Sequence, residues 1–80
     1  MKILVTGGAG FIGANISEYF YQKGYDVTVF DNFSRETAIR NKAYLQENYP
    51  EIEIIYGDIR DFEKVKEVTK NKDCIIHCAA

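Results

Sequence analysis

The stretch that decides the fold is T-G-G-A-G-F-I-G, residues 6–13. It follows a short apolar and β-branched run, Lys2–Thr6, and it precedes a segment in which apolar residues recur every fourth position, as they do in a helix. Three glycines, Gly7, Gly10 and Gly13, stand three residues apart, and the stretch also contains the pattern G-x-G-x-x-G. Glycines at this spacing between a strand and a helix are typical of a turn that binds a dinucleotide.

The chemistry of such a turn explains the glycines. A side chain at Gly7 or Gly10 would block the tight turn or the close approach of a pyrophosphate, and one at Gly13 would push the helix off the strand. The helix N-terminus offers free amide groups and a positive dipole end to phosphates. A Walker loop is excluded, because Ala14 and Asn15 follow where that loop has Lys and then Ser or Thr. The sequence predicts a dinucleotide site, with a purely structural glycine turn as the alternative.

The rest of the chain alternates strands with helices. The predicted strands are Lys2–Thr6, Tyr25–Phe30, Ile52–Tyr56 and Asp73–Cys78. The first helix ends near Gly24. The second is predicted at Glu36–Asn48, with Ile39, Ala43 and Leu45 facing inward. The third is predicted at Phe62–Lys70, with one face made of Phe62, Val65, Val68 and Thr69. Strands joined by helical crossovers pair in parallel with right-handed connections. This order predicts an α/β fold, the N-terminal half of a Rossmann-type doubly wound sheet with strand order 3-2-1-4.

An acidic residue ends the second predicted strand. Asp31 lies near the distance of about 20 residues at which a carboxylate is expected to hydrogen-bond the ribose hydroxyls of the dinucleotide. A carboxylate there repels a ribose phosphate and so favours NAD over NADP, whereas the nearby Arg35 acts in the opposite direction. The alternative is an Asp that merely ends the strand and opens a turn with Asn32.

Composition narrows the function classes. Eighty residues are at most one domain, and the net charge of −2 gives no basic stripe for a nucleic acid. No apolar run approaches the ~20 residues that cross a membrane, and the apolar N-terminal run is too short for a signal peptide. We therefore expect a cytoplasmic protein with reduced thiols and with neither a nucleic-acid nor a membrane partner.

The C-terminal segment I-I-H-C-A-A, residues 75–80, is apolar and has no turn or polar tail after it. A natural domain seldom ends on a strand with nothing to cover it. We therefore expect a fragment in which residues 1–80 form the N-terminal part of an NAD(P)-binding domain. The catalytic and substrate-binding parts would be missing, and the fragment would be inactive on its own.

Four motifs in register resemble the extended short-chain dehydrogenase/reductase family, in particular its nucleotide-sugar epimerases and dehydratases. Residues 6–13 are similar to the family's T-G-x-x-G-x-x-G, residues 31–32 to its ribose-binding pair, residues 57–61 (G-D-I-R-D) to its adenine-flanking segment, and residues 77–80 (H-C-A-A) to the end of its fourth strand. The cofactor-binding residues that the resemblance implies are Gly7, Gly10, Phe11, Ile12, Gly13, Asp31, Asn32, Ser34, Arg35, Asp58, Ile59, Cys78, Ala79 and Ala80.

The resemblance implies an activity as well. Members transfer hydride from a sugar carbinol to bound NAD, and the keto-sugar then epimerises or loses water before hydride returns. The substrate would be a nucleotide sugar, the full-length protein a homo-oligomer, and the catalytic Tyr and Lys would lie beyond residue 80. Residues 31–35 (D-N-F-S-R) followed by residues 41–45 (N-K-A-Y-L) resemble the CDP-paratose 2-epimerases. UDP-glucose 4-epimerases and dTDP-glucose 4,6-dehydratases share the first part less closely. A non-catalytic NAD(P)-sensing module is the alternative of another class.

Two further patterns are interpreted as accidental. Tyr19 and Lys23 spell the family's catalytic Y-x-x-x-K, but they lie in the second half of the first helix, away from the phosphates. Cys74 and Cys78 would stand about 13 Å apart on a strand, too far for one metal ion, and His77 faces the other side. No metal site is predicted, and the two thiols are expected to be buried and inert.

Overall fold

The computed structural model describes residues 1–78, in which strands and helices alternate along the chain as the sequence predicts. The elements are β1 (Lys2–Thr6), α1 (Phe11–Gln22), β2 (Asp26–Asp31), α2 (Glu36–Asn48), β3 (Glu53–Tyr56), α3 (Phe62–Thr69) and β4 (Cys74–His77). The bounds of β1 and α2 equal the predicted ones, and α3 and β4 end one residue earlier than predicted. The positive φ of Gly24, +92°, closes the end of α1, where glycine carries no steric penalty. No helix in this part of the chain is long and apolar enough to cross a membrane.

The four strands form one parallel sheet in the order β3-β2-β1-β4, which confirms the predicted topology. β1 lies in the centre and pairs with β2 on one side and β4 on the other, so Thr6 stands beside Phe30 and His77. Because the strands are parallel, their carboxyl ends meet at one edge of the sheet. Ligands of doubly wound folds bind at such an edge.

The two faces of the sheet are covered unequally. On one face, α1 and α2 bury Ala38 and Leu45 against Ile3, Val5 and other side chains of the central strands. On the other face, α3 contributes a smaller cluster. That cluster consists of Leu4, Phe30 and Val68, with Val65 and Ile55 packed against it. The core therefore lies mainly between the sheet and the α1–α2 pair.

Glu18 on α1 joins the two helices of that pair. Its carboxylate accepts hydrogen bonds from the hydroxyls of Tyr44 (2.5 Å) and Tyr49 (2.7 Å), which belong to α2 and to its C-terminal cap. The rings of Tyr21 and Tyr49 pack with their centroids 5.1 Å apart. These contacts fix the position of α2 relative to α1.

We expect Glu18→Gln to lower stability at neutral pH and to have little effect in acid. The hydroxyls of Tyr44 and then Tyr49 lower the pKa of Glu18 below its ordinary value of 4.5. A carboxylate whose pKa is lower in the folded than in the unfolded protein stabilises the fold at pH values above its pKa in the unfolded protein. This contribution is lost as the pH falls through its pKa in the folded protein. Melting temperatures at about pH 7 and about pH 3 measure the difference. Glu36→Gln, which removes an exposed pair with Arg40, is the control. A stability gap of equal size at both pH values would contradict the assignment.

Three predictions about burial are wrong. On α2, Ile39 is 56% exposed and Ala43 is exposed, whereas Ala38 (4%) points inward together with Leu45. The buried face of α2 therefore contains Ala38 and Leu45 and not Ile39 and Ala43. Ala38 and Leu45 lie on the same side of the helix because seven residues make about two turns.

The second wrong prediction lies on the α3 side of the sheet, and the third concerns β4. Phe62 is the first residue of α3 and is 75% exposed, so only Val65 and Val68 of the predicted face reach the sheet. Cys74 is exposed and Cys78 half-buried, because β4 is an edge strand of the described sheet. The two thiols are thus not enclosed in the core.

Candidate functional site

A cavity of about 380 Å³ opens at the carboxyl edge of the sheet, between the glycine turn and the segments that follow β2 and β3. Its lining consists of Gly7, Gly10, Phe11, Ile12, Gly13, Phe30, Asp31, Asn32, Ser34, Arg35, Ala38, Gly57, Ile59 and Cys78. Every predicted cofactor-binding residue in the described part of the chain lines it except Asp58. Ala79 and Ala80 were also predicted, and they lie outside the described residues.

Short backbone contacts hold the glycine turn and leave no room for a side chain at Gly13. Gly7 has a φ of +69°, and its N–H donates to the carbonyl of Phe30 at 2.7 Å. A Cβ on Gly13 would stand 2.0 Å from the carbonyl oxygen of Gly7. Glycine is therefore required at position 13, because any side chain there would clash with the backbone of the turn.

The N-terminus of α1 faces this cavity without a cap. Gly10 is the N-cap residue, no side chain accepts from the helix amides, and the first turn has no acidic residue. The first N–H groups of a helix have no intrahelical acceptor, and the helix dipole adds partial positive charge at this end. This arrangement suits an anion, and the adjacent side chains of Phe11 (75% exposed) and Ile12 (64%) leave the approach open.

Asp31 stands at the opposite wall, at the end of β2. Its Oδ2 accepts from the N–H of Ala9 at 3.1 Å, and its Oδ1 accepts from the N–H of Phe33 at 2.8 Å. A carboxylate has about four acceptor positions, so each oxygen keeps capacity for another donor. The side chain is thus fixed in place while it can still accept hydrogen bonds from a diol.

The loop after β2 is held in shape by its own side chains. Asn32 accepts from the N–H of Ser34 at 3.1 Å, which makes an Asx turn. Phe33 takes the left-handed region with φ of +51°, which is unusual for a bulky residue. Its ring stacks on Tyr56 at 6.3 Å, and the ammonium of Lys42 lies 5.1 Å from its centroid. These contacts hold the part of the loop that lines the cavity.

The segment after β3 contributes differently from the prediction. The guanidinium of Arg60 binds the carboxylate of Asp58, with Nη2 2.7 Å from Oδ2, and lowers the pKa of Asp58 to about 2. The neighbours of Asp58, Gly57 and Ile59, line the cavity instead. A Cβ on Gly57 would stand 2.4 Å from the ring of Phe30, so glycine lets this segment approach β2 closely.

The end of β4 completes the cavity edge. The N–H of Cys78 donates to the carbonyl of Thr6 at 2.8 Å, which brings Cys78 to the cavity. Thr6 Oγ1 and His77 Nδ1 share a hydrogen bond of 2.7 Å between the two strand ends.

Sequence reasoning missed three of the lining residues, Phe30, Ala38 and Gly57. Gly57 could have been predicted from the sequence, because it is the first residue of the G-D-I-R-D segment, in which Asp58 and Ile59 were predicted to bind the cofactor. Phe30 and Ala38 are apolar residues in regular elements, and nothing in their local pattern distinguishes a cavity wall from ordinary core.

The Y-x-x-x-K pair of α1 lies on the helix surface. Tyr19 is 55% exposed, and the Nζ of Lys23 lies 5.3 Å from its ring centroid, an ordinary cation–π contact. Neither residue lines the cavity. Within residues 1–78, no three His, Cys, Asp or Glu side chains are grouped so that they could hold a metal ion.

This chain is similar to known proteins in sequence and in fold. The chain is 43% identical over 61 residues to the CDP-paratose 2-epimerase of Salmonella typhi, an alignment that covers 76% of this chain and 18% of that protein. Its fold matches the dTDP-glucose 4,6-dehydratase of Bacillus anthracis, solved in complex with NAD, with a TM-score of 0.82, 36% identity and coverage of 100% and 27% of the two chains. It also matches the UDP-glucose 4-epimerase of Bifidobacterium longum, solved with NAD⁺ and UDP, with a TM-score of 0.83, 33% identity and coverage of 100% and 24%.

The chain spans roughly a fifth to a quarter of the length of these proteins. A sequence profile of one family matches residues 3–80, which is nearly the whole chain. This chain therefore belongs to the NAD dependent epimerase/dehydratase family.

Proposed function

We propose that this chain binds the adenosine and pyrophosphate parts of NAD in the cavity at the carboxyl edge of the sheet. The observation that carries the proposal is the uncapped N-terminus of α1, placed over the glycine turn and opposite Asp31 in one cavity. An anion-binding helix end and a carboxylate with free acceptor capacity are the two groups that a nucleoside diphosphate needs.

The residues divide between the parts of the cofactor. Gly10 to Gly13 would hold the pyrophosphate by their amides, and Asp31 and Asn32 would accept from the ribose hydroxyls. The segment of Asp58 and Ile59 would flank the adenine, with Ile59 in the cavity wall and the carboxylate of Asp58 bound by Arg60. Cys78 would lie toward the nicotinamide half, as would Ala79 and Ala80 according to the family resemblance. NAD supplies the hydride chemistry when bound, whereas these residues bind and orient it.

The cofactor preference follows from the charge at the ribose end. The carboxylate of Asp31 repels a 2′-phosphate, which favours NAD. Arg35 lines the same cavity and is the cation nearest in sequence that could offset this repulsion. Because Asp31 is held by two backbone amides and Arg35 is exposed, the fixed charge dominates.

We also propose an activity for the whole protein, of which this chain would be the cofactor-binding beginning. The activity is hydride transfer between a nucleotide sugar and NAD, followed by epimerisation or dehydration. The specific proposal is a CDP-paratose 2-epimerase, because residues 31–35 and 41–45 resemble that group and the Salmonella typhi relative carries that name. The competing activities are UDP-glucose 4-epimerase and dTDP-glucose 4,6-dehydratase.

The test has a binding arm and a turnover arm, both on the full-length protein. We expect NAD to be released when the purified protein is denatured, or to bind when it is titrated by calorimetry. Absence of both would contradict the cofactor proposal. For turnover, the protein is incubated in separate reactions with the CDP-, UDP- and dTDP-sugars of the three candidate activities, and the products are identified by NMR. Conversion of the CDP-sugar supports the specific proposal, and conversion of only another sugar replaces it. Binding of NAD with no turnover of any of them would favour a sensing module.

A further inference from the structure

The backbone of Ala9, in the middle of the glycine turn, is held on both sides by side chains from other segments. Ala9 is fully buried, and its N–H donates to Asp31. Its carbonyl oxygen accepts from Nδ2 of Asn41 at 2.8 Å, a part-buried hydrogen bond that reaches from α2 to the turn. Asn41 itself is not among the cavity-lining residues.

The bond from Asn41 fixes one particular peptide unit, the one that joins Ala9 to Gly10. The carbonyl end of this unit is held by Asn41, and its N–H end, on Gly10, donates to the carbonyl of Gly7 at 3.1 Å. Gly10 is the N-cap of α1. This peptide therefore joins the glycine turn to the N-terminus of α1, whose first residues line the cavity.

Two hydrogen bonds hold this peptide, and of these only the one from Asn41 comes from another element of the fold. Glycine tolerates a wide range of backbone angles, so the backbone of Gly10 itself places little restriction on the orientation of this peptide. A buried carbonyl that loses its donor carries a penalty, which rotation of the peptide would relieve. Removal of the Asn41 amide should therefore change the geometry of the turn while the sheet and helices remain.

We propose that Asn41 is a positioning residue that holds the glycine turn in the shape required for pyrophosphate, without touching the ligand. The inference rests on the proposed cofactor site. It makes α2 a part of the phosphate-binding machinery, although α2 follows the ribose-binding segment in the chain. The role is confined to the pyrophosphate, because the adenosine side is held by Asp31 and the loop after it.

The variant that tests this is Asn41→Ala in the full-length protein, with Asn48→Ala as the matched control. Asn48 lies on the same helix, and its Nδ2 also donates to a backbone carbonyl at 2.8 Å, that of Tyr44, far from the turn. The probes are ADP-ribose, which carries the pyrophosphate, and adenosine, which lacks it. Affinities are measured by calorimetry and by competition, and melting temperatures are recorded in parallel.

We expect Asn41→Ala to lower the affinity for ADP-ribose about tenfold or more, which corresponds to the loss of one part-buried hydrogen bond. Adenosine affinity should stay within about twofold, and Asn48→Ala should change neither. Unchanged affinity for ADP-ribose would overturn the inference. An equal loss of affinity for ADP-ribose and adenosine would also overturn it, because that result indicates a general structural defect. Asn41→Leu, which has a similar volume and no donor, gives the same comparison if the Ala variant is too unstable to purify. If the unmutated protein binds no ADP-ribose, the result contradicts the proposed cofactor site itself and not only the role of Asn41.

Discussion

Replacement of Gly13 by alanine is expected to lower the stability of the fold by about 3 kcal/mol or more and to abolish NAD binding. The new Cβ would stand 2.0 Å from the carbonyl oxygen of Gly7 and 2.8 Å from the Cα of Gly8. Both atoms belong to the backbone, so no flexible side chain can move aside. The turn is tied to β2 through the N–H of Gly7, and relief of the clash must therefore separate α1 from the end of the sheet.

Gly10→Ala is the control for this prediction, because it adds the same methyl group to the same turn. Its Cβ would lie 3.4 Å from the Gly7 carbonyl, which is close to ordinary contact, and its φ of −69° suits any residue. We expect stability within about 1 kcal/mol of the unmutated protein, with weakened NAD binding because Gly10 lines the cavity. Urea unfolding of both variants measures the difference. A Gly13→Ala protein as stable as the Gly10→Ala protein would show that the turn deforms easily.

Replacement of Asp31 by serine is expected to lower NAD affinity by about 100-fold and to remove most of the preference over NADP. The carboxylate supplies the charged acceptors for the ribose, and hydrogen bonds to charged groups contribute about 1.5–3 kcal/mol. It also fixes the N–H groups of Ala9 and Phe33, so the turn and the following loop lose a common anchor. With the negative charge gone, Arg35 is left to attract a 2′-phosphate, and NADP affinity should rise.

The measurement is calorimetry with both cofactors on the full-length protein. Asp61→Ser is the matched control, because Asp61 caps α3 by accepting from the N–H of Lys64 and serine caps helices equally well. It should leave both affinities unchanged. Equal affinities of the unmutated protein for NAD and NADP would contradict the role of Asp31.

The sequence predicted the features that depend on local chemistry. Glycine spacing located the turn, and the predicted bounds of α2, Glu36–Asn48, are those observed, although its predicted inner face is wrong. The alternation of strands with helices predicted parallel strands and their order in the sheet, because right-handed crossover connections allow only a few topologies. The cofactor-binding residues were implied by the resemblance to the family, and of those within residues 1–78 all but Asp58 line the cavity.

The features that depend on a partner from another segment could not be predicted. Asn41 and Lys42 are polar, and a hydrophobicity pattern assigns them to solvent. In the structure they turn toward the Ala9 carbonyl and the Phe33 ring, and Ile39 is left exposed. The need for a donor on α2 arises only when the glycine turn has folded beside it. The periodicity of apolar residues therefore cannot predict the hydrogen bond between Asn41 and the Ala9 carbonyl.

The central place of β1 has a consequence for the order of folding during synthesis. During synthesis β1 pairs with β2 early, but its other edge remains unpaired until β4 is made, as the bond from Lys2 to Asp73 across 71 positions shows. Closure entropy grows with the logarithm of loop length, so this late pairing costs only about 1 kcal/mol more than the early one. Until Cys74–His77 emerge, β1 presents an apolar open edge, which is the kind of surface that nascent chains join in aggregates. The nascent chain is therefore most exposed to misassembly in the interval between the pairing of β2 and the arrival of β4.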